Sequence, residues 1–109
     1  MAGEVYEAGE AWRKAEAEYR EIILREPENP WGWLMLGELF AKMGKVTLAR
    51  QAFESLARCV PAHAPAFSYL GELSRLAGDF RSANKLYRQA LSLDPCEETA
   101  RTGVKLVGG

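Results

Sequence analysis

Apolar side chains along this chain recur at three- and four-residue intervals, and glycine or proline interrupts the pattern about every 15 to 20 residues. Strand-like alternation is absent from the sequence, so the chain reads as all-α. Asn29 followed by Pro30 predicts a helix start. The Asn side chain can accept an unpaired N–H of the first turn, and proline there gives up only an N–H that has no intrahelical partner. Trp33, Leu36, Leu39 and Phe40 then form one apolar stripe, and Gly44 offers the left-handed backbone of a tight helix stop. A second helix carries Val46, Ala49, Phe53 and Leu56 on one face and closes at Pro61. The same events follow again: Phe67, Leu70, Gly71 and Leu73, a turn at Gly78, then Phe80, Ala83, Tyr87 and Ala90, with Pro95 as the stop.

These positions share one interval. Pro27, Pro61 and Pro95 are 34 residues apart, as are Gly3, Gly37 and Gly71; Ala15, Ala49 and Ala83; Tyr19, Phe53 and Tyr87; and Glu4, Glu38 and Glu72. A sequence repeating at this period specifies a stack of supersecondary units. Mid-helix glycine costs about 1 kcal/mol relative to alanine, so its recurrence asks for a packing reason. The expectation is that Gly37 and Gly71 mark close helix crossings with Ala49 and Ala83 opposite, and that Trp33, Phe53, Phe67 and Tyr87 fill the spaces between layers.

The middle unit, with Trp33, Leu36-Gly37, Phe40, Gly44, Ala49, Phe53 and Pro61, resembles the tetratricopeptide repeat. So does the third, with Phe67, Leu70-Gly71, Gly78, Ala83, Tyr87, Ala90 and Pro95. Ser74 departs from the pattern by replacing the second aromatic of the third unit, and Leu56 by replacing a small residue of the middle one. The resemblance implies a right-handed α-solenoid of stacked antiparallel helix pairs in a single domain. Residues 1–28 would be a partial first repeat, 29–62 the second, 63–96 the third, and 97–109 a capping helix and tail. In the first unit Gly3 falls late in a shortened first helix, and Trp12, Ala15, Tyr19 and Ile22 mark the second. Glu97 and Glu98 early and Lys105 late suit the dipole of the last helix. An uncovered N-terminal face at Trp12, Tyr19 and Ile22 implies either a piece of a longer chain or self-association.

Composition adds limits. The sequence is 48% hydrophobic and 27% charged with net charge −1, so no global basic field draws it to nucleic acid or anionic lipid. Residues 1–28 hold eight acids and four bases, a split that suits solvated helix surface. No membrane-spanning run or secretory leader is legible, and two cysteines make no disulfide framework, so a cytoplasmic protein is expected.

Candidate chemistry is sparse. His63 stands four residues from Cys59, but Pro61 interrupts the helix between them and a zinc site wants three or four ligands; a turn histidine beside a core cysteine is the simpler reading. The carboxylates pair with arginines four residues on, as in Glu16–Arg20 and Glu21–Arg25, which is surface chemistry. No enzyme activity, cofactor or metal is expected. What the resemblance implies instead is a concave groove lined by the first helices. Its candidate residues are Trp31, Leu34, Met35, Glu38 and Lys42 in the second unit and Ser68, Tyr69, Glu72 and Arg75 in the third, beside Ala41, Pro65 and Leu76. Aromatic and Met clusters anchor partners, and Glu4, Glu38 and Glu72 would form an acidic ladder. The expected partner is a protein or peptide segment with apolar anchors and some basic residues. Leu34, Glu38, Pro65 and Tyr69 do not make the Lys/Asn clamp with which related co-chaperones hold acidic chaperone tails. Self-association through the open ends is the alternative function.

Overall fold

The computed structural model describes the backbone of residues 2–108 and the side chains of residues 9–108. Its helices are α1 (Ala2–Arg25), α2 (Pro30–Lys42), α3 (Val46–Cys59), α4 (Ala64–Leu76), α5 (Phe80–Leu93) and α6 (Glu98–Leu106), with no strand among the described residues. Pairs α2/α3 and α4/α5 pack most extensively. α1 lies on α2, α3 joins the two pairs through α4, and α6 packs against α4 and α5. The solenoid measures 45 × 34 × 21 Å.

Helix ends follow local chemistry. Asn29 Oδ1 accepts the Trp31 N–H at 3.0 Å, and Glu97 Oε2 accepts that of Ala100 at 3.0 Å. Gly44 and Gly78 adopt φ of +78° and +85°, the left-handed region that side chains disfavour, and each reverses the chain into the next helix. The first unit has no such turn. Glu10 occupies the position equivalent to Gly44 and Gly78, and α1 runs through it as one 24-residue helix. Residues 12–25 correspond to α3 and α5, whereas residues 2–11 extend α1 by about 15 Å at a 1.5 Å rise per residue. The expected shortened first helix is therefore continuous with the second. The side chain of Glu4 lies outside the described residues.

Two apolar clusters form the core. Leu36, Phe40, Ala49, Phe53, Leu70 and Leu73 make the first, with Tyr19, Ile23, Trp33 and Tyr69 packed on it. Ala64, Ala83, Tyr87, Ala90 and Ala100 make the second, backed by Phe67, Val104 and Val107. What meets the mid-helix glycines differs from the expectation. A Cβ on Gly37 would lie 2.5 Å from the Phe53 ring, and one on Gly71 would lie 2.7 Å from the Tyr87 ring. Alanines 49 and 83 are buried, but the ring one turn beyond each is what rests on the glycine. Val46 and Phe80, expected on the buried face, are exposed at the first position of their helices.

Tyr87 shows the rule most fully. Gly103 of α6 sits on its other face, where a Cβ would come within 2.4 Å, so the ring is fully enclosed between two backbones. Gly103 is the counterpart of Tyr69, which in the preceding layer stacks on Phe53. One joint is thus closed by a second ring and the next by bare backbone.

Candidate functional site: the recess between α2 and α4

The last two turns of α2 and of α4 diverge enough to leave a recess of about 350 Å³ lined by Glu38, Ala41, Lys42, Phe53, Tyr69, Glu72, Leu73 and Leu76. Its floor is apolar because Gly37 lets the Phe53 ring of α3 rise between the first helices. Tyr69 stacks on that ring with centroids 5.1 Å apart and planes 10° from parallel. Leu76, 73% exposed at the end of α4, forms an apolar lip.

Glu72 on the rim is tied down. The Tyr87 hydroxyl donates to Glu72 Oε1 at 2.8 Å, while Arg75 donates to Glu72 Oε2 at 2.6 Å and to the Tyr87 oxygen at 3.3 Å. Burial and then the Glu72 hydrogen bond push the Tyr87 phenol up to about 12. The hydrogen bond to Glu72 raises the Arg75 guanidinium. One unit earlier Phe53 has no hydroxyl, and Glu38 instead interacts with the Tyr69 hydroxyl of the next first helix. Burial, then the interaction with Glu38 and the charge of Glu97, raise the Tyr69 phenol to about 12. The acids Glu38 and Glu72 are therefore built into the joints between helices. Glu72 is also charge-matched by Arg75, which leaves Glu38 as the recess acid without an arginine partner.

Four of the expected residues, Glu38, Lys42, Tyr69 and Glu72, meet at this recess, and Arg75 stands behind Glu72. Trp31 is 52% exposed at the start of α2, away from the recess. Leu34 and Met35 are half-buried, Leu34 against the first core cluster. Ser68 is a correction: it is fully buried and its hydroxyl has no hydrogen-bond partner, so it offers nothing to a ligand. Position 68 lies on α4, which packs against α3, α5 and α6. The floor residues Phe53 and Leu73 were missed, although the glycine–ring register of 37 and 53 already places Phe53 beneath a gap. Cys59, read as a core residue, is an exposed free thiol like Cys96. No group of three metal-ligating side chains occurs among the described residues, and no helix there is long and apolar enough to cross a membrane.

A second recess, about 360 Å³, opens between α3 and α5 beside Arg50, Glu54, Leu70, Ser74, Asp79 and Leu86. Its counterpart one unit earlier, at Arg20, Leu36, Phe40, Leu48 and Ala52, measures about 240 Å³. Ser74 in place of an aromatic accounts for the larger space.

The sequence profile of the tetratricopeptide repeat matches residues 1–64. No curated protein sequence matches the chain significantly. Among solved structures it is similar to the second TPR domain of human RPAP3 in complex with an HSP70 peptide, at 17% identity and TM-score 0.77, over 99% of this chain and 90% of that one. It is likewise similar to the Arabidopsis OM64 TPR domain, at 22% identity and TM-score 0.77, over 97% and 88%. A third is the Yersinia enterocolitica type III secretion chaperone SycD in complex with a peptide of the translocator YopD, at 15% identity and TM-score 0.78, over 97% and 86%.

Proposed function

The chain belongs to the tetratricopeptide repeat family, and on that premise we propose that it is a protein–protein interaction module that takes a partner segment in the recess between α2 and α4. The observation that carries this reading is the Phe53–Tyr69–Leu76 surface: an apolar floor and an exposed lip in a concavity large enough for one apolar side chain. A buried anchor surrounded by a polar rim is the usual anatomy of a peptide hot spot. The reading is of a binding role, as an adaptor, scaffold or chaperone-like domain, and not of catalysis. Two exposed free thiols suit a reducing cytoplasm.

The partner segment presents an apolar anchor, with a basic residue beside Glu38. Neighbours of this fold are seen with acidic peptides such as SGPTIEEVD and SRMEEVD. Here Glu38 and Glu72 line the recess together with Lys42, so the rim has no cationic excess with which to hold an acidic tail. The apolar anchor supplies most of the affinity, since Glu72 is already matched by Arg75. Selecting peptides from a random display library against the wild type and a Leu76→Arg variant tests the reading. Selected sequences should share an apolar anchor and lose affinity for the variant.

A further inference from the structure

We propose that two copies of this chain exchange the N-terminal ends of α1, each covering the open first unit of the other. Gly37 receives Phe53, and Gly71 receives Tyr87, each so closely that a Cβ would collide with the ring. In both hairpins the glycine and the ring stand eight residues either side of one turn residue, Lys45 or Asp79. Gly3 and Tyr19 stand eight residues either side of Ala11 in the same register, and Gly3-Glu4-Val5-Tyr6 parallels Gly37-Glu38-Leu39-Phe40. The first unit thus contains both halves of a third joint, yet Tyr19 is only half-buried.

The reason is the missing turn. Glu10 stands where the other hairpins have glycine, and the backbone passes through it as uninterrupted helix. On one straight helix Gly3 lies 16 residues from Tyr19, about 24 Å along the axis, and cannot reach it. A second α1 running antiparallel, with a two-fold axis at Ala11, brings the partner copy's Gly3 onto Tyr19 and the reverse in the same operation. Such an interface is isologous and closes at two copies. The helix that would otherwise project past α2 becomes the missing first helix of the other chain. This surface is separate from the recess between α2 and α4.

Sedimentation and light scattering on the full chain test the exchange. The wild type should have twice the 12.1 kDa chain mass across the micromolar range. Gly3→Leu, which places a side chain against the opposing Tyr19, should weaken the dimer by about tenfold or more while leaving helicity intact. Glu10→Gly combined with Ala11→Asp reproduces the Gly78-Asp79 turn, and should close the hairpin within one chain and yield a folded monomer. Leu76→Arg should leave the mass unchanged, which separates this test from that of the recess. A wild type that is monomeric throughout, or a dimer indifferent to Gly3→Leu or to the restored turn, overturns the proposal.

Discussion

Tyr69 lies flat on Phe53, 5.1 Å between centroids, while its hydroxyl interacts with the Glu38 carboxylate. One side chain therefore joins α4 to both helices of the preceding unit and also walls the recess. Tyr69→Leu keeps apolar bulk but removes the ring stack and the hydroxyl. It should cost about 1–2 kcal/mol in denaturant unfolding, the loss expected of an aromatic pair together with a polar contact of the hydroxyl.

The glycines divide into two kinds. Gly71→Ala and Gly103→Ala drive a methyl into Tyr87, which is enclosed on both faces, and each should destabilise by about 1–3 kcal/mol despite alanine's better helix propensity. Gly9 lies in α1, and a Cβ there would meet nothing within 4 Å, so Gly9→Ala should stabilise by about 0.5–1 kcal/mol. Thermal melts of the three variants check the sign of each.

Alkali should act through the phenols. Tyr69 and Tyr87 are raised from 10.0 to about 12, so between those values the unfolded chain releases protons that the folded chain keeps. The stabilisation is complete below pH 10 and is lost as pH rises toward 12. Urea midpoints should fall over that interval, and less steeply in Tyr87→Phe.

His63 occupies the cap position that Asn29 and Glu97 fill productively, but its side chain makes no cap hydrogen bond and its Nε2 is buried without a partner. His63→Asn should add about 1 kcal/mol by capping α4. Burial lowers the His63 pKa below 6.5, so the wild type has full stability above that pH and loses some as pH falls through the folded value. The asparagine variant should lack that acid slope between neutral and mildly acidic pH.

The helices, their caps and their turns were legible because each depends on neighbours in sequence: Asn29 on Trp31, Gly44 and Gly78 on their own φ. The 34-residue interval extended that reading to the stacking of units. Contacts across units were harder. Periodicity identified Gly37 and Gly71 as crossing points, but which side chain fills a crossing depends on ring direction, and the rings won over Ala49 and Ala83. Ser68 looked like a groove residue by register, but its burial depends on how the neighbouring helices cover α4. The acids Glu38 and Glu72 looked free because their partners, Tyr69 and Tyr87, lie 31 and 15 residues away. The continuous α1 was signalled by Glu10 at a glycine position, a one-residue difference inside an otherwise regular pattern.

The recess is tested most directly by selecting peptides of about a dozen residues from a random display library and measuring the enriched ones by fluorescence anisotropy against wild type, Leu76→Arg and Glu38→Lys. Leu76 is 73% exposed, so the first variant keeps its fold. The account predicts peptides with a shared apolar anchor, affinity reduced about tenfold or more by Leu76→Arg, and a smaller, salt-sensitive loss with Glu38→Lys. Enriched peptides that are acidic, or that bind Leu76→Arg as tightly as the wild type, would contradict it.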